Sequence, residues 1–240
     1  MDVPILYEDD ILLAVDKPAG MVVNDAANVS DTTLAQIMAK RLKIATIGDK
    51  SDAFAIRAGI VHRLDKQTSG IVLVAKNPVA FAALQKQFLQ RSVEKEYIAL
   101  VHGHLTPAQG TIRAPIGRLP WRRTHFGVIP EGRQAHSTYE AQQKYIFNGQ
   151  AYSLIRLIPH TGRTHQLRVH CAWIGHSVVS DPQYCGRKTL ATDLSFCPRM
   201  FLHAQKIGFR HPQTLKRLNI ESNLPDDLQK VIDRLTILLV

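Results

Sequence analysis

A single carboxylate among basic side chains is the part of this sequence that most directly suggests chemistry. Asp65 lies in the run His-Arg-Leu-Asp-Lys-Gln-Thr-Ser-Gly of residues 62–70, where His62, Arg63 and Lys66 are its basic neighbours. A positive field of this kind favours the ionised carboxylate at neutral pH. Asp65 can therefore act as a nucleophile, as a base or as the partner of a cation.

The elements around this run are predicted to hold the carboxylate at the edge of the core. Residues 71–75 are an unbroken apolar run, which predicts a buried strand. Residues 43–59 show little periodicity and predict a mobile loop that leads into the Asp65 segment. After the strand, Asn77 and Pro78 form a good helix start, an N-cap followed by proline at the first helical position. The apolar face of that helix consists of Phe81, Leu84, Phe88 and Leu89.

Hairpins dominate the rest of the chain. Extended segments are predicted at residues 5–7 and 11–15, which flank a hairpin turn at residues 8–10, and at residues 97–103, 110–158, 201–209 and 215–220. Helices are predicted after Ser30-Asp31, after Thr164 and at residues 228–235. Asn148-Gly149 is a strong signal for a hairpin turn. The pattern predicts an α+β fold with a mostly antiparallel mixed β-sheet flanked by helices and loops, in one domain spanning residues 1–240.

The charge of the chain favours a polyanionic partner. Its 240 residues carry 30 Lys+Arg against 20 Asp+Glu, a formal net charge of +10. Such a surplus favours nucleic acid first and an anionic membrane face second, with a merely solvated surface as the alternative. Basic and aromatic side chains are concentrated in one stretch, which comprises Arg113, Arg118, Trp121, Arg122, Arg123 and His125. This composition suits an RNA strand, although a charged hairpin with one exposed tryptophan would show the same pattern.

Cysteine usage and the chain ends favour a cytoplasmic protein. The three widely spaced cysteines, Cys171, Cys185 and Cys197, form neither a disulfide framework nor a C-x-x-C pair, which favours a reducing cytosol. The first residues show no signal-peptide pattern, and the apolar residues 235–240 are too few to span a bilayer. We therefore expect no association with a membrane.

Two further residues could assist the carboxylate. On the helix predicted after Thr164, Arg168 shares a face with His165 and points away from the core. Beside Asp65 it would favour the charged carboxylate and fix its geometry by a two-pronged hydrogen bond, but a surface arginine on an amphipathic helix is the alternative. Tyr97 could stack on a nucleobase, or it could be an ordinary aromatic residue of a core or edge strand.

Metal and nucleotide sites are not indicated by the motifs. The closest histidine pairs lack the ligand spacing of zinc sites, so a metal is not expected. The sequence also lacks the glycine-rich phosphate and dinucleotide motifs and the G-x-S-x-G motif of many serine hydrolases. A nuclease or hydrolase that uses one aspartate and a metal is therefore a poor alternative.

Five segments taken together resemble a known enzyme family. Residues 62–70 are similar to the signature of the RluA-type pseudouridine synthases, and four more segments resemble that family in the right order, namely residues 16–20, 96–97, 161–170 and 175–182. The resemblance implies a pseudouridine synthase-like fold with two interlocked subdomains around a central cleft. Position 16 is Asp where Asn is more usual. Many relatives begin with a small S4-type RNA-binding domain, which is not expected here.

The resemblance also implies an isomerase that acts on RNA without a cofactor. In such an enzyme a flipped uridine loses its N1–C1′ bond, turns, and is rejoined through C5. By motif, Asp65 is the catalytic acid, Arg168 its salt-bridge partner, Tyr97 the ring that packs on the base, and Arg63 the side chain that fills the gap left by the flipped nucleotide. Further RNA contacts are expected from Lys17, His62, Arg122, Arg123, Arg163 and His165.

Several alternatives stay open at this point. Asp65 could attack C1′ or C6 of the nucleotide, or it could act as a base. Residues 122–125 and 163–165 resemble the branch that acts on large-subunit ribosomal RNA more than the transfer-RNA branch. A non-catalytic RNA-binding or ribosome-assembly module would carry the same charge, but it would have no reason to aim a carboxylate at phosphates. The expected partner is RNA and not DNA, and the chain is expected to act as a monomer.

Overall fold

The structure is a computed structural model, and it describes residues 3–24, 31–44, 52–122 and 124–238. These residues form two compact units. The first unit runs to Glu94 and includes Ala204–Ser222, whereas the second comprises Lys95–His203 and continues from Asn223. The chain therefore leaves the first unit, builds most of the second, returns to complete the first, and leaves it again.

Strands outnumber helices, as the sequence pattern predicts. In chain order the strands are β1 (Ile5–Glu8), β2 (Leu12–Lys17), β3 (Ser69–Ala75), β4 (Glu94–His102), β5 (Gln109–Arg113), β6 (Ile116–Arg118), β7 (Phe126–Val128), β8 (His136–Phe147), β9 (Gln150–Pro159), β10 (Leu202–Arg210), β11 (Arg217–Glu221) and β12 (Thr236–Ile237). The helices are α1 (Leu34–Arg41), α2 (Ala53–Ile56), α3 (Pro78–Leu89), α4 (Gln166–Trp173), α5 (Arg187–Leu194) and α6 (Asp226–Ile232). Neighbouring strands such as β2 and β3, or β8 and β9, run antiparallel. The predicted α+β class with a mostly antiparallel sheet is therefore confirmed.

The core of the first unit is built on β3. The sheet of this unit has the order β1-β2-β3-β10-β11, and every residue of β3 is buried. This confirms the buried strand predicted at residues 71–75. Leu73 belongs to an apolar cluster that also contains Leu12 of β2 and Phe209 of β10. The segment that follows Asp65 along the chain is thus fixed in the core.

Helix α3 begins where the sequence predicts it. The Oδ1 atom of Asn77 accepts a hydrogen bond from the N–H of Ala80 at 2.8 Å, which is a side-chain cap. Phe81 and Leu84 then join the same apolar cluster as β3. Leu89, which was expected on this apolar face, is 84% exposed instead. Phe88 in the same turn does pack against the cluster, so Leu89 lies off the apolar face of the helix.

Gly70, in β3, lies where no side chain fits. Its φ is +116°, and a Cβ added there would lie 2.3 Å from the carbonyl oxygen of Ala204. Because that atom is backbone and cannot rotate away, we expect Gly70→Ala to lower the free energy of unfolding by about 3 kcal/mol. Denaturant titration of the purified protein measures this loss. Gly162→Ala is the matched control, since no atom of the described ranges lies within 4 Å of a Cβ at that position; equal losses in both variants would contradict the prediction.

The second unit has a sheet in the order β4-β9-β8-β12, and β5 also pairs with β8. The β8–β9 hairpin is closed by Asn148 and Gly149, whose φ angles are 48° and 73°. Positive φ at both positions is what a two-residue type I′ turn requires, so the predicted turn is confirmed. A separate two-stranded sheet is formed by β6 and β7. Residues 116–128, which include these two strands, are called the basic hairpin below.

The structure corrects the loop predicted at residues 43–59. Part of it is α2, which begins after Asp52, whose Oδ1 atom accepts from the N–H of Phe54 at 2.8 Å. A single helical turn is too short to show periodicity in a sequence, which is why the pattern predicts no helix there. Residues 45–51 of this predicted loop lie outside the described residues.

Two other boundaries differ from the sequence pattern. Helix α1 is capped by Thr33 instead of Ser30-Asp31, because Thr33 accepts from the N–H of Gln36 at 3.2 Å and the Gln36 side chain accepts from the N–H of Thr33 at 3.4 Å. The apolar residues near the C-terminus include the short strand β12, which pairs with β8. The sequence pattern predicts neither this strand nor helix α5. No helix among the described residues combines the length and the apolar character needed to cross a bilayer.

Candidate active site

Asp65 lies on a tightly held loop of the first unit, just before β3. The residue is half-buried, so part of it stays accessible. Its neighbours Leu64 and Thr68 are 5% and 2% exposed, and the N–H of Thr68 donates to the carbonyl oxygen of Asp65 at 3.1 Å. The loop therefore buries its flanking residues and fixes the backbone that carries the carboxylate.

Lys17 holds a neighbouring turn against this loop. It has no exposed surface, and its Nζ atom donates to the carbonyl oxygens of Pro18, Met21 and Lys66 at 2.9, 3.0 and 3.3 Å. The N–H of Gly20 donates to the same Lys66 oxygen at 2.8 Å. These hydrogen bonds replace the water that a buried ammonium group loses. Lys17 is thus placed inside the fold, which corrects the expectation that it contacts RNA directly.

His62 and Arg63 differ in their surroundings. The Nε2 atom of His62 accepts from the N–H of Leu73 at 3.1 Å, and its ring stacks on Phe88 with the ring centroids 4.7 Å apart. His62 thereby ties the Asp65 loop to β3 and α3, while an RNA contact by this residue stays a prediction. Arg63 is exposed, which is required of a side chain that enters an RNA.

Arg168 is buried in the second unit, with 5% of its surface exposed. Its Nε and Nη2 atoms donate to Oδ2 and Oδ1 of Asp181 at 2.7 and 2.9 Å, and Nη2 also donates to Gln183 Oε1 at 3.1 Å. The ring of Tyr184 lies 5.0 Å from the guanidinium carbon. The expectation that Arg168 points away from the core is therefore wrong. A two-pronged pair with a buried carboxylate offsets the cost of burying its charge.

Asp181 is a residue of this site that was not predicted. It has no exposed surface, and its Oδ1 atom also accepts from the N–H groups of Gln183 and Tyr184 at 2.9 and 3.2 Å. A carboxylate with this many donors is held in one orientation, and it holds Arg168 in turn. The sequence indicates Asp181 only through its position in the segment 175–182. The spacing of charges along the chain does not show that Asp181 faces α4.

The side chain of Gln166 orders the turn that precedes α4. Its Oε1 atom accepts from the hydroxyl of Thr161 at 2.6 Å and from the N–H of Arg163 at 3.0 Å. Its Nε2 atom donates to the carbonyl oxygen of His136 at 3.0 Å and to the hydroxyl of Ser137 at 2.9 Å. All the hydrogen-bonding capacity of this buried amide is used, so the turn has a single well-defined conformation.

The residue at the N-cap position of α4 is His165 instead of Thr164, and its side chain makes no capping hydrogen bond. His165 has a φ of 54°, in the left-handed region, and its Nδ1 atom lies 2.9 Å from the hydroxyl oxygen of Tyr184. A threonine cap is not needed here, because Gln166 already orders the turn. Arg163 donates from Nε to a backbone carbonyl oxygen at 3.1 Å. Arg163 and His165 are both half-buried, and their contacts with RNA stay predictions.

Tyr97 lies near the start of β4, opposite Leu157 of β9. It is half-buried and packs against the apolar cluster that contains Leu157 and Val101. This environment matches the interpretation of Tyr97 as an aromatic residue of the sheet. Its packing on a uracil ring stays a prediction.

The basic hairpin combines positive charge with an exposed ring. Trp121 is 77% exposed, and Arg118 and Arg122 are exposed beside it. The guanidinium carbon of Arg118 lies 5.4 Å from the ring centroid of Phe126. Exposed aromatic rings and arginines of this kind suit the stacking of unpaired bases and the binding of phosphates. Arg123, predicted to contact RNA, lies outside the described residues.

His125 turns inward from the basic hairpin. Its Nδ1 atom lies 3.0 Å from the hydroxyl oxygen of Thr124, whereas its buried Nε2 atom has no hydrogen-bond partner among the described residues. Burial, together with the charges of Arg122 and Arg168, lowers the pKa of His125 below its usual value. The ring is therefore neutral at pH 7.

The predicted site residues fall in both units. Asp65 and Arg63 belong to the first unit, whereas Tyr97, Arg168 and His165 belong to the second. Within the second unit the structure brings Arg168 and His165 together around Tyr184, as described above. The pairing of Asp65 with Arg168 stays a prediction.

Thiol chemistry is not supported by the cysteines. Cys171, Cys185 and Cys197 form no disulfide. Burial raises the pKa of Cys171 to about 12 and those of Cys185 and Cys197 to about 11. Thiols with such pKa values are not nucleophiles at neutral pH. Within the described ranges, no three His, Cys, Asp or Glu side chains are grouped so that they could hold a metal ion.

Comparisons with known sequences agree with the family resemblance. A profile of the family described as "RNA pseudouridylate synthase" matches residues 11–173. The Pseudomonas aeruginosa protein "Ribosomal large subunit pseudouridine synthase D" is 40% identical over 236 residues, which cover 95% of this chain and 70% of that protein. The Bacillus subtilis protein "Uncharacterized RNA pseudouridine synthase YlyB" is 37% identical over 236 residues, which cover 98% of this chain and 73% of that protein.

Solved structures show the same fold. "Human RNA Pseudouridylate Synthase Domain Containing 1" has a TM-score of 0.77 and 27% identity to this chain, and the alignment covers 98% of this chain and 89% of the human one. "Human RNA Pseudouridylate Synthase Domain Containing 4" has a TM-score of 0.73 at 22% identity, with coverages of 98% and 94%. The expected pseudouridine synthase-like fold is therefore confirmed.

Proposed function

The chain belongs to the family of RNA pseudouridine synthases, which are isomerases, and on that premise we propose that it converts uridines of large-subunit ribosomal RNA to pseudouridine. In this reaction the N1–C1′ bond of a uridine breaks, a C5–C1′ bond forms, and the proton on C5 leaves while N1 gains one. No oxidation state changes and no group is added, so the atoms balance without a co-reactant.

The observation that carries the proposal is the placement of Asp65. It is a partly accessible carboxylate on a loop whose backbone is fixed by Thr68, by the Lys17 turn and by β3. Attack on C1′ or C6, or removal of a proton, requires a carboxylate that is held at a fixed distance from the nucleotide. An anchored loop that exposes part of one carboxylate meets this requirement, whereas a protein that only binds RNA gains nothing from it.

Arg168 supplies the second part of the proposed mechanism. Its guanidinium donates hydrogen bonds to Asp181 and Gln183 and lies over the ring of Tyr184, so these contacts anchor it within the second unit. A guanidinium with five N–H donors can serve a second carboxylate in addition to Asp181. In the proposed mechanism it pairs with Asp65 and keeps that carboxylate charged and correctly oriented.

RNA binding must supply the free energy for exposing the target base. Extruding a nucleotide from a helix or a structured loop costs on the order of a few kcal/mol. Phosphate contacts from a chain with a net charge of +10 can offset this cost. In the proposed complex Arg63 fills the gap that the flipped nucleotide leaves, Tyr97 packs on the uracil, and Trp121 of the basic hairpin stacks on a neighbouring base.

The choice of large-subunit ribosomal RNA is supported by the relatives. The Pseudomonas aeruginosa protein that is 40% identical is named for the ribosomal large subunit. The matched region covers 95% of this chain, so the alignment is not confined to the Asp65 loop. The proposed setting is the cytoplasm, whose reducing conditions suit three cysteines without a disulfide.

The purified chain is expected to release tritium from large-subunit ribosomal RNA labelled at C5 of uridine. Release occurs because C5 loses its hydrogen when it bonds to C1′. Transfer RNA transcripts labelled in the same way are the control, and chemical mapping of pseudouridine identifies the modified position. Release from transfer RNA alone would show that the substrate is transfer RNA and not large-subunit ribosomal RNA. No release from either RNA, in spite of tight binding, would overturn the catalytic proposal in favour of an RNA-binding module.

A further inference from the structure

Tyr184 lies between the basic hairpin and Arg168, and it contacts both. The face of its ring is 5.0 Å from the guanidinium carbon of Arg168. Its hydroxyl oxygen accepts from the N–H of Phe126 in the hairpin at 3.4 Å and lies 2.9 Å from Nδ1 of His165. A single side chain thus connects a hairpin strand, the start of α4 and the buried arginine.

Ring contacts strengthen the same connection. The ring of His125 meets Tyr184 edge-on, with centroids 6.3 Å apart and an interplanar angle of 69°. His165 contacts Tyr184 at 5.8 Å and 78°, and it contacts Phe126 at 5.8 Å and 71°. Edge-to-face pairs of this geometry are attractive and restrict the rotation of each ring. Movement at the base of the hairpin therefore changes the space available to Tyr184.

Tyr184 is also held by the carboxylate that binds Arg168. Its backbone N–H donates to Oδ1 of Asp181 at 3.2 Å, and the same Oδ1 atom accepts from Arg168 at 2.9 Å. Tyr184 and Arg168 consequently share one carboxylate as well as a cation–π contact. A shift of the tyrosine is transmitted to the guanidinium by both routes.

The base of the hairpin has a reason to rearrange. His125 is buried, and its Nε2 atom has no hydrogen-bond partner among the described residues. A buried nitrogen without a partner is costly, so a rearranged hairpin that provides one is favoured once RNA holds the exposed end. That exposed end carries Trp121, which is 77% exposed.

We propose that Tyr184 is a positioning residue that couples the binding of RNA at the basic hairpin to the orientation of Arg168. This inference rests on the proposed function, because it assigns to Tyr184 the alignment of the guanidinium that serves Asp65. RNA that stacks on Trp121 orders the hairpin, the hairpin presses His125 and Phe126 against Tyr184, and Tyr184 confines Arg168. Turnover then depends on correct engagement of the hairpin and not on affinity alone.

The first test separates positioning from binding. Tyr184→Leu removes the ring face, so we expect the single-turnover rate at saturating RNA to fall about 10- to 30-fold, with the RNA dissociation constant within about three-fold of wild type. Tyr184→Phe keeps the ring face, so we expect the rate of this variant to stay within about three-fold of the wild-type rate. A wild-type rate for Tyr184→Leu overturns the proposal, as does a loss that appears only in the dissociation constant.

The second test measures the coupling itself. We expect Trp121→Ala to slow the single-turnover step in the wild-type background and to have little further effect in the Tyr184→Leu background, since coupled residues give non-additive losses. Trp173→Ala is the matched control, because Trp173 is also exposed, at 62%, but lies in α4 outside the hairpin. Its effect should be the same in both backgrounds. Equal losses from Trp121→Ala in the two backgrounds would overturn the coupling.

A spectroscopic readout makes the outcome independent of product formation. The buried Nε–H group of Arg168 is expected to give its own ¹⁵N NMR signal, which is assigned by its disappearance in Arg168→Lys. Addition of RNA should shift this signal in the wild type but not in Trp121→Ala or Tyr184→Leu. A signal that shifts equally in all three proteins overturns the coupling. Failure of the proposed function shows itself differently, as a wild-type protein that makes no pseudouridine while the signal still shifts.

Discussion

Replacement of Asp65 by asparagine is expected to abolish pseudouridine formation and to leave RNA affinity within about three-fold of wild type. The amide has nearly the same shape as the carboxylate, so the loop held by Thr68 and Lys17 should keep its conformation. What is lost is the negative charge, which is needed to attack C1′ or C6 or to accept a proton. Loss of an essential nucleophile or base costs on the order of 10⁴-fold or more in rate.

Single-turnover assays with mapped pseudouridine measure this effect, and filter binding gives the affinity in parallel. Asp10→Asn is the matched control, because it removes the same charge from an exposed position of the same unit. The control separates catalysis from the general gain in RNA binding that follows the loss of any acidic residue. Substantial isomerisation by Asp65→Asn would exclude Asp65 as the essential group.

Replacement of Arg168 is expected to have the second largest effect, a loss of at least about 100-fold in turnover for both Arg168→Ala and Arg168→Lys. A lysine keeps the charge but cannot donate two parallel hydrogen bonds to Asp181, and it lacks the planar group that lies over Tyr184. The lysine variant is therefore informative, since it distinguishes the need for a positive charge from the need for a fixed guanidinium.

The substitution Arg168→Ala is also expected to destabilise the fold. Arg168→Ala leaves Asp181 as a buried carboxylate without its guanidinium partner, which costs about 3–5 kcal/mol in the free energy of unfolding. Arg187→Ala, at an exposed position of α5, should cost little and is the control. Urea titrations of the three proteins measure these differences. If Arg168→Ala unfolds at the wild-type urea concentration, the buried pair does not stabilise the fold as described.

Local signals in the sequence predict the Asp65 loop and the elements that follow it. The apolar run after Gly70 is long enough to specify a buried strand, and Asn77-Pro78 specifies the start of α3 through a cap that depends only on near neighbours. Asn148-Gly149 specifies its turn for the same reason, because the required φ angles are a property of two residues. In each case the interacting groups are close in sequence.

Predictions from the sequence fail where the hydrogen-bond partner of a charged side chain comes from a distant part of the chain. The helical spacing correctly puts Arg168 on a different face from the apolar residues, but it cannot show that Asp181 covers that face. Lys17 was expected to contact RNA, but its buried ammonium group donates to the carbonyl oxygens of Pro18, Met21 and Lys66, the last of which comes from a distant loop. Both errors arise because burial of a charge depends on hydrogen-bond partners that the fold, and not the local sequence, supplies.

Because Ala204–Ser222 completes the first unit, a nascent chain that has emerged only as far as Glu94 lacks β10 and β11. β3 then has no neighbour on one side until residues 95–203 have been translated. An apolar strand with an open edge is prone to aggregation, so chaperones have a period of synthesis in which to act on this protein. For the same reason, cutting the chain after Glu94 separates residues 204–222 from the rest of the first unit, and truncation at this point is a poor route to studying the Asp65 loop in isolation.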